Sequence, residues 1–287
     1  MSENGSLEER VAAALDNLSL KQKRLARYIL ESRHFVSFAS ASQAGEKAGA
    51  SAATVVRFAQ ALGYAGFSEM QAAIRAELPS YMTAIERMQA RLGRPPVSAE
   101  IPHNIFATDI RNIERTANGL DNVKLEQAAR EIIKAGRILV IGSGISAGGA
   151  LFLAHSLKVM GFDARPVLGG GLILAVEVAQ LRSGDLLIAI DLWRYTRATV
   201  QAVSTANANG VKTIAITDSI VSPLAEMAGY AFEAATESID HSLSPTAVIS
   251  FINVMIGMIS FMAPEKVLEA LRRVDAAYRD NDLLIME

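Results

Sequence analysis

The chain has 287 residues, of which 51% are hydrophobic and 20% charged, with 28 Lys+Arg against 30 Asp+Glu and no cysteine. That length accommodates one large or two modest domains at about 100–200 residues each, enough to bury a sizeable core. Absent cysteine excludes a disulfide framework, thiolate metal ligation, iron–sulfur clusters and a cysteine nucleophile, and a net charge of −2 confines any nucleic-acid contact to a local basic patch.

The start, MSENGSLEER, is acidic and polar, where an export signal needs a basic segment and an apolar stretch. Residues 1–80 read as short helices rich in Ala, Arg, Lys and Gln. Leu15, Leu18, Leu25, Ile29 and Leu30 recur at helical spacing. Gln43–Ala48 reads as a short helix and Gly49-Ala50 as a tight turn, because glycine tolerates positive φ. Ser51 can cap the next helix through its hydroxyl. That helix sets Val55, Phe58, Ala59 and Leu62 on one face and Ala52, Ala53, Thr54, Arg57 and Gln60 on the other. Small side chains, a hydroxyl and a guanidinium suit a major groove: methyls meet thymine methyls, and arginine bonds guanine bidentately. A plain αα-hairpin has the same periodicity, so spacing alone leaves both readings open. Lys21, Lys23, Arg24 and Arg27 cluster upstream, with Lys47, Arg57 and Arg75 also available. Lys21, Lys23 and Lys47 are expected on phosphate, which positions a protein without reading sequence.

Ser19–Leu30, then Ser51, Thr54, Val55 and Arg57, then Leu62-Gly63-Tyr64 and Gly66-Phe67 resemble the N-terminal domain of the RpiR/MurR family of bacterial transcriptional regulators, over roughly residues 7–80. The resemblance implies a helix-turn-helix DNA-binding domain at 1–80. Its candidate DNA-binding residues are Ser51, Ala53, Thr54, Arg57, Lys47, Lys21 and Lys23.

A helical connector is expected over 81–122. Tyr81–Leu92 reads as a helix stopped by Arg94-Pro95-Pro96, since proline lacks the donor and clashes with the preceding turn. Pro102 opens another, through Ile105, Ile110 and Ile113 to Asn118-Gly119. Beyond it the pattern alternates. Strand-like runs are Arg137–Ile141, Ala164–Leu168, Asp185–Leu192, Lys212–Thr217 and Tyr230–Ala234. Helical patterns separate them at Ala147–Met160, Leu172–Leu181, Thr196–Asn209 and Pro223–Met227. Alternation of this length predicts βαβ units around a parallel sheet buried on both faces. Residues 123–265 therefore read as a doubly wound α/β domain, whose ligands bind at strand carboxyl ends where strand order reverses. Val248–Met262 is about 15 residues long, short of the ~20 that span a bilayer, and reads as a buried core helix. A C-terminal helix and tail occupy 266–287. A cytoplasmic protein without membrane contact is expected.

Within this domain, Arg137–Leu151 reads as strand, Gly-rich turn and helix start. Gly142 and Gly144 allow close backbone approach, Ser146 falls at or near the cap, and helix-start N–H groups attract anions. Gly142–Ala147 also satisfies a loose dinucleotide pattern, but Asp163 precedes the second strand where such a site wants an acid closing it. A ligand-free turn, a dinucleotide loop and a sugar-phosphate loop remain open here.

Gly142, Gly144 and Ser146, Thr213–Thr217, Ser222-Pro223-Leu224 and Ser244–Ile259 resemble a SIS (sugar isomerase) domain, the usual partner of this N-terminal domain, over roughly residues 123–265. The resemblance favours the sugar-phosphate reading. It implies a multidomain chain: an all-α helix-turn-helix domain, then a flavodoxin-like parallel-sheet SIS domain. One departure stands out. The family's Ser-x-Ser-Gly-x-Thr loop after the third strand is here Asp191-Leu192-Trp193-Arg194-Tyr195-Thr196. Only Thr196 matches, so a tight phosphate cradle is not expected. Arg194 and Arg197 can hold an anion bidentately, and Trp193 and Tyr195 offer rings for stacking. An anionic sugar derivative, a non-phosphorylated metabolite and a ligand-free interface all remain readings, the first preferred. Gly142, Ser143, Gly144, Ser146, Asp191, Arg194, Thr196 and Arg197 are the candidate effector-binding residues.

His34, His103, His155 and His241 are scattered, without helical metal-pair spacing. No metal or cofactor is expected. Glu226, Glu237 and His241 are nominal bases for isomerisation, but the DNA-reading domain and the altered loop argue against turnover. The expected partners are double-stranded operator DNA, a small-molecule effector (a sugar phosphate or related anion) and further copies in a homodimer or homotetramer, since two-fold oligomers read paired half-sites. The alternatives are a SIS-type sugar-phosphate isomerase with an accessory helical domain and a dinucleotide-dependent redox sensor.

Overall fold

The computed structural model describes residues 6–37, 39–77, 84–92, 100–220, 222–283 and 285. The chain divides into two compact units, Met1–Ser98 with Ser238–Ser242, and Ala99–Glu237 with Leu243–Glu287.

The first unit contains α1 (Leu7–Ala14), α2 (Leu20–Glu31), α3 (Arg33–Val36), α4 (Ala41–Ala48), α5 (Ala52–Ala61), α6 (Phe67–Glu77) and α7 (Ala84–Leu92). Serine fixes several of these starts. Ser6 with Glu9, Ser19 with Gln22 and Ser40 with Gln43 form reciprocal capping boxes, each satisfying two helix-end donors. Leu7, Leu25, Ile29, Val55, Phe58, Leu62, Met70 and Ile74 are fully buried and form the core. The start of the expected helix over Tyr81–Leu92 lies partly outside the described residues.

The second unit begins with α8 (Ile101–Asn118) and α9 (Asn122–Lys134). There follow β1 (Ile138–Gly142), α10 (Ser146–Val159), β2 (Ala164–Val167), α11 (Gly171–Ala179) and β3 (Leu186–Ile190). The unit closes with α12 (Arg197–Ala208), β4 (Lys212–Thr217), α13 (Pro223–Met227), β5 (Tyr230–Glu233), α14 (Thr246–Met262) and α15 (Pro264–Asp280). The sheet has the order β2-β1-β3-β4-β5 with every pairing parallel. This is the doubly wound α/β fold.

Side-chain alternation builds its two core layers. Ile138, Val140, Ile188, Ile190, Ile214 and Ile216 meet α9, α10 and α14 on one face. Leu139, Ile141, Leu187, Ala189 and Ala215 meet α11, α12 and α13 on the other. Both faces are covered, which is why the strands read as unbroken apolar runs. Val248, Phe251, Ile252, Met255 and Ile259 place α14 in the first layer. No single helix among the described residues is long and apolar enough to cross a membrane.

The connector expected over 81–122 is divided by the structure, because α8 groups with the second unit. Several hydrogen bonds tie α8 there. Asn112 Nδ2 donates to Glu237 O at 2.8 Å, and Glu237 N donates to Asn112 Oδ1 at 3.2 Å. Ser244 and Thr246 hydroxyls donate to the Asp109 carboxylate at 2.5 and 2.9 Å. Ala235 N donates to Thr116 Oγ1 at 2.9 Å. Meanwhile Phe106 and Ile110 are exposed. The tail helix likewise starts inside the expected domain, at Pro264.

Candidate functional site

In the first unit, α4 and α5 meet across a turn that glycine makes possible. Gly49 ends α4 at φ 67°, in the left-handed region. Gly45 lies under the turn: a Cβ there would sit 2.6 Å from Ala50 O and 3.1 Å from Ser51 C. Ala50 N donates to Gly45 O at 2.7 Å. Ser51 caps α5, accepting from Thr54 N at 3.2 Å, and its hydroxyl meets Thr54 Oγ1 at 2.9 Å. Val55, Phe58 and Ala59 are buried, whereas Ser51, Ala52, Ala53, Arg57 and Gln60 are exposed and Thr54 is half-buried. Lys21, Lys23 and Lys47 are exposed as well. Arg75 differs from the expectation of an available surface cation: its guanidinium is half-buried and donates to Ser37 O at 2.5 Å. Burial lowers its pKa.

In the second unit the chain leaves β1 toward β2 on one side and returns to β3 on the other, so strand order reverses between β1 and β3. Gly142 pairs with Ile190 in register. The loops after both strands therefore emerge side by side at the carboxyl edge, the position where open α/β sheets bind ligands. Gly142 must be glycine, since a Cβ would lie 2.8 Å from Ser146 O and 3.0 Å from Ala150 Cβ. Gly144 takes φ 56°, Gly144 is exposed and Ser143 is half-buried. Ser146 is the first residue of α10 and makes no side-chain cap bond. Its hydroxyl oxygen is buried with no hydrogen-bond partner among the described residues.

The loop after β3 is held from beneath by two carboxylates. Asp191 is 2% exposed. Its Oδ2 accepts from Thr196 N at 2.8 Å and from Thr196 Oγ1 at 3.2 Å. Thr196 in turn caps α12, accepting from Thr199 N at 3.3 Å, with the two threonine hydroxyls 2.8 Å apart. Burial raises the Asp191 carboxyl above its ordinary range, opposed by hydrogen bonds from Thr196, Thr199 and Leu192.

Asp218, just past β4, is the second carboxylate. It accepts from Tyr195 Oη at 2.8 Å and from Trp193 N at 3.3 Å. Burial pushes its pKa up to about 6 against those bonds, with Glu233 adding to the rise. Thr217 donates to Ser222 Oγ at 3.1 Å, which itself caps α13. Trp193 packs against the α9/α10/α14 layer, and its ring meets Tyr195 edge-on at 5.8 Å. The aromatic pair is therefore half-buried packing rather than two open stacking faces. Arg194 and Arg197 are exposed.

The structure thus brings Gly142, Ser143, Gly144 and Ser146 to the same edge as Asp191, Arg194, Thr196 and Arg197. Sequence reasoning missed Asp218 and Thr199. Asp218 had one signal, a lone acid closing the apolar run Lys212–Thr217. Of the nominal bases, Glu237 bonds Arg115 at 3.0 Å and His241 bonds Asp240 at 3.0 Å. A separate cavity of about 320 Å³ lies between α11 and α12, lined by Leu174, Ala175, Val178, Ala202 and Thr205 among others. It is largely apolar and touches none of the expected effector residues.

A helix-turn-helix unit followed by a doubly wound α/β unit defines a class of transcriptional regulators. Residues 5–80 match the helix-turn-helix domain of the rpiR family, and residues 131–261 match the SIS domain. The chain belongs to the RpiR family of HTH-type transcriptional regulators. It is 29% identical over 231 residues to an HTH-type transcriptional regulator of Haemophilus influenzae, covering 80% of each chain. It is 25% identical over 221 residues to the HTH-type transcriptional regulator HexR of Pseudomonas aeruginosa, covering 77% of this chain and 75% of HexR. Among solved structures, the sugar isomerase domain of an RpiR transcription factor from Sphaerobacter thermophilus is 39% identical with a TM-score of 0.61, covering 62% of this chain and 99% of that one. The Vibrio vulnificus NanR protein complexed with ManNAc-6P shares the fold at 19% identity and a TM-score of 0.64, covering 98% of this chain and 100% of that one.

Proposed function

We propose that this regulator binds operator DNA through residues 1–80 and senses a sugar-derived metabolite through residues 123–265, without turning it over. Arg57, Thr54, Ala53 and Ser51 face the bases. Lys21, Lys23 and Lys47 hold phosphates. The effector lies on the carboxyl edge at the β1/β3 reversal, beside Gly142–Ser146, with Arg194 and Arg197 within reach of an acidic group. The protein acts in the cytoplasm as a homodimer or homotetramer, because paired half-sites need two reader helices.

The observation that carries the sensing half is the register pairing of Gly142 with Ile190. It delivers both candidate loops to one edge of the sheet. Allostery then requires that the effector bind one arrangement of the protein more tightly than another. Mobility-shift titration of the purified protein on its upstream intergenic DNA, with a panel of sugars, sugar acids and sugar phosphates, tests this. A panel member should change operator affinity by about 5–150-fold, the usual range of such coupling. Operator binding unmoved by every member would refute the sensing half. Aldose–ketose conversion by the same preparation would favour an isomerase.

A further inference from the structure

We infer that the effector carries no phosphate ester into this site, because the protein's own Asp191 carboxylate already fills the anion seat at the head of α12. The inference rests on the sensing reading above and narrows its ligand to non-phosphorylated sugars and sugar acids.

The start of a helix attracts anions through its free N–H groups and the positive end of its dipole. α12 is 12 residues long, and its head carries the Thr196 amide with the hydroxyls of Thr196 and Thr199. All of these are turned inward. The Thr196 amide and hydroxyl both donate to Asp191 Oδ2, at 2.8 and 3.2 Å. The Thr199 hydroxyl lies 2.8 Å from that of Thr196. Asp191 is 2% exposed, so the carboxylate is a built-in part of the structure and not a surface group that swings aside.

A second observation points the same way. Asp191 N donates to Ile216 O at 3.2 Å, which ties the end of β3 to β4, two residues before Asp218. Asp218 is itself buried and takes the Trp193 amide and the Tyr195 hydroxyl. The Trp193 and Thr196 amides and the Tyr195 and Thr196 hydroxyls of this loop are thus spent on two internal carboxylates. A phosphate dianion arriving there would find few free donors and two like charges, and like charges in a poorly solvated site repel strongly. Arg194 and Arg197 remain exposed at the rim. A planar carboxylate suits their forked donors, and neutral hydroxyls suit the rest of the edge.

Calorimetry on the full chain tests this with matched pairs: N-acetylmannosamine against its 6-phosphate, gluconate against 6-phosphogluconate, and inorganic phosphate alone. On the wild type, no phosphate ester should bind more tightly than its parent. Asp191→Ser and the near-isosteric Asp191→Asn should each gain at least tenfold in affinity for inorganic phosphate or the esters. A wild-type preference of tenfold or more for any ester would overturn the inference. So would a folded Asp191 variant, checked by circular dichroism, that gains no phosphate affinity. If no sugar of any kind binds the wild type, the sensing reading fails instead, and the inorganic phosphate arm on the two variants still decides the question of the seat.

Discussion

Replacing Asp218 with asparagine should stabilise the second unit above neutral pH and do so less in acid. The free carboxyl titrates at 3.8, and burial moves it to about 6 in the fold. The folded state therefore holds the proton more tightly than the unfolded chain. The stability this confers is complete below 3.8 and is lost as pH rises through about 6. At about 1.4 kcal/mol per tenfold change in proton affinity, the ionised group costs about 3 kcal/mol at neutral pH. Asparagine never ionises. Its carbonyl can still accept from Tyr195 Oη, but its amide turns a donor toward Trp193 N, a loss of about 1–2 kcal/mol. The net gain near pH 7.5 is then about 1–2 kcal/mol. The change with pH is independent of that offset: the gap between variant and wild type should widen by roughly 1 kcal/mol from about pH 5 to about pH 7.5. Urea unfolding followed by fluorescence measures it, because the chain's single tryptophan, Trp193, sits in the loop that Asp218 holds. A gap that stays constant across that range would refute the assignment of a buried, strained carboxylate.

Other substitutions probe the two units separately. Gly45→Ala places a methyl 2.6 Å from Ala50 O, and should cost about 1–3 kcal/mol, read as an earlier melting transition of the first unit with weakened operator binding. Arg57→Ala should cost roughly 1–3 kcal/mol of operator affinity and relax selectivity at one base pair, read by competition with single-base operator variants. Lys23→Ala should weaken binding evenly across operators and flatten the plot of log affinity against log salt by about one ion. Gly142→Ala pushes α10 away from β1, since its Cβ would meet backbone at 2.8 Å. Effector binding should fall while the melting of the first unit is unchanged.

Periodicity made much of this architecture legible. The Lys212–Thr217 and Tyr230–Glu233 strands begin where alternation of apolar runs predicts, and α5 is capped by the serine that its sequence nominates. These features are local, so each is written within one short window. The site was harder to read. Asp191 reads as a mismatch to the family's hydroxyl loop, but its meaning lies in Thr196 folding back over it. Asp218 gave only the faint signal of an acid at a strand end. Trp193 looked like an open stacking platform until the core layer behind it was visible. α8 defied pattern altogether. Its apolar residues Phe106 and Ile110 face outward, while Thr108 and Asn112 are buried. A hydrophobic-periodicity argument therefore predicts the wrong inner face.

That polar seam has a consequence for the order of events during synthesis. Asn112 meets residue 237, and Asp109 meets residues 244 and 246. At 5–20 residues per second, the partners of α8 leave the ribosome roughly 6–25 s after the helix itself. By then the buried core residues of the helix-turn-helix unit, from Leu7 to Ile74, have all been made, while Ser238–Ser242, which group with that unit, come as late as the partners of α8. The inner face of α8 carries the buried polar residues Thr108 and Asn112, while its apolar residues Phe106 and Ile110 face outward. α8 is the first element of its unit to be made, and these hydrogen-bond partners follow it by 125–137 residues.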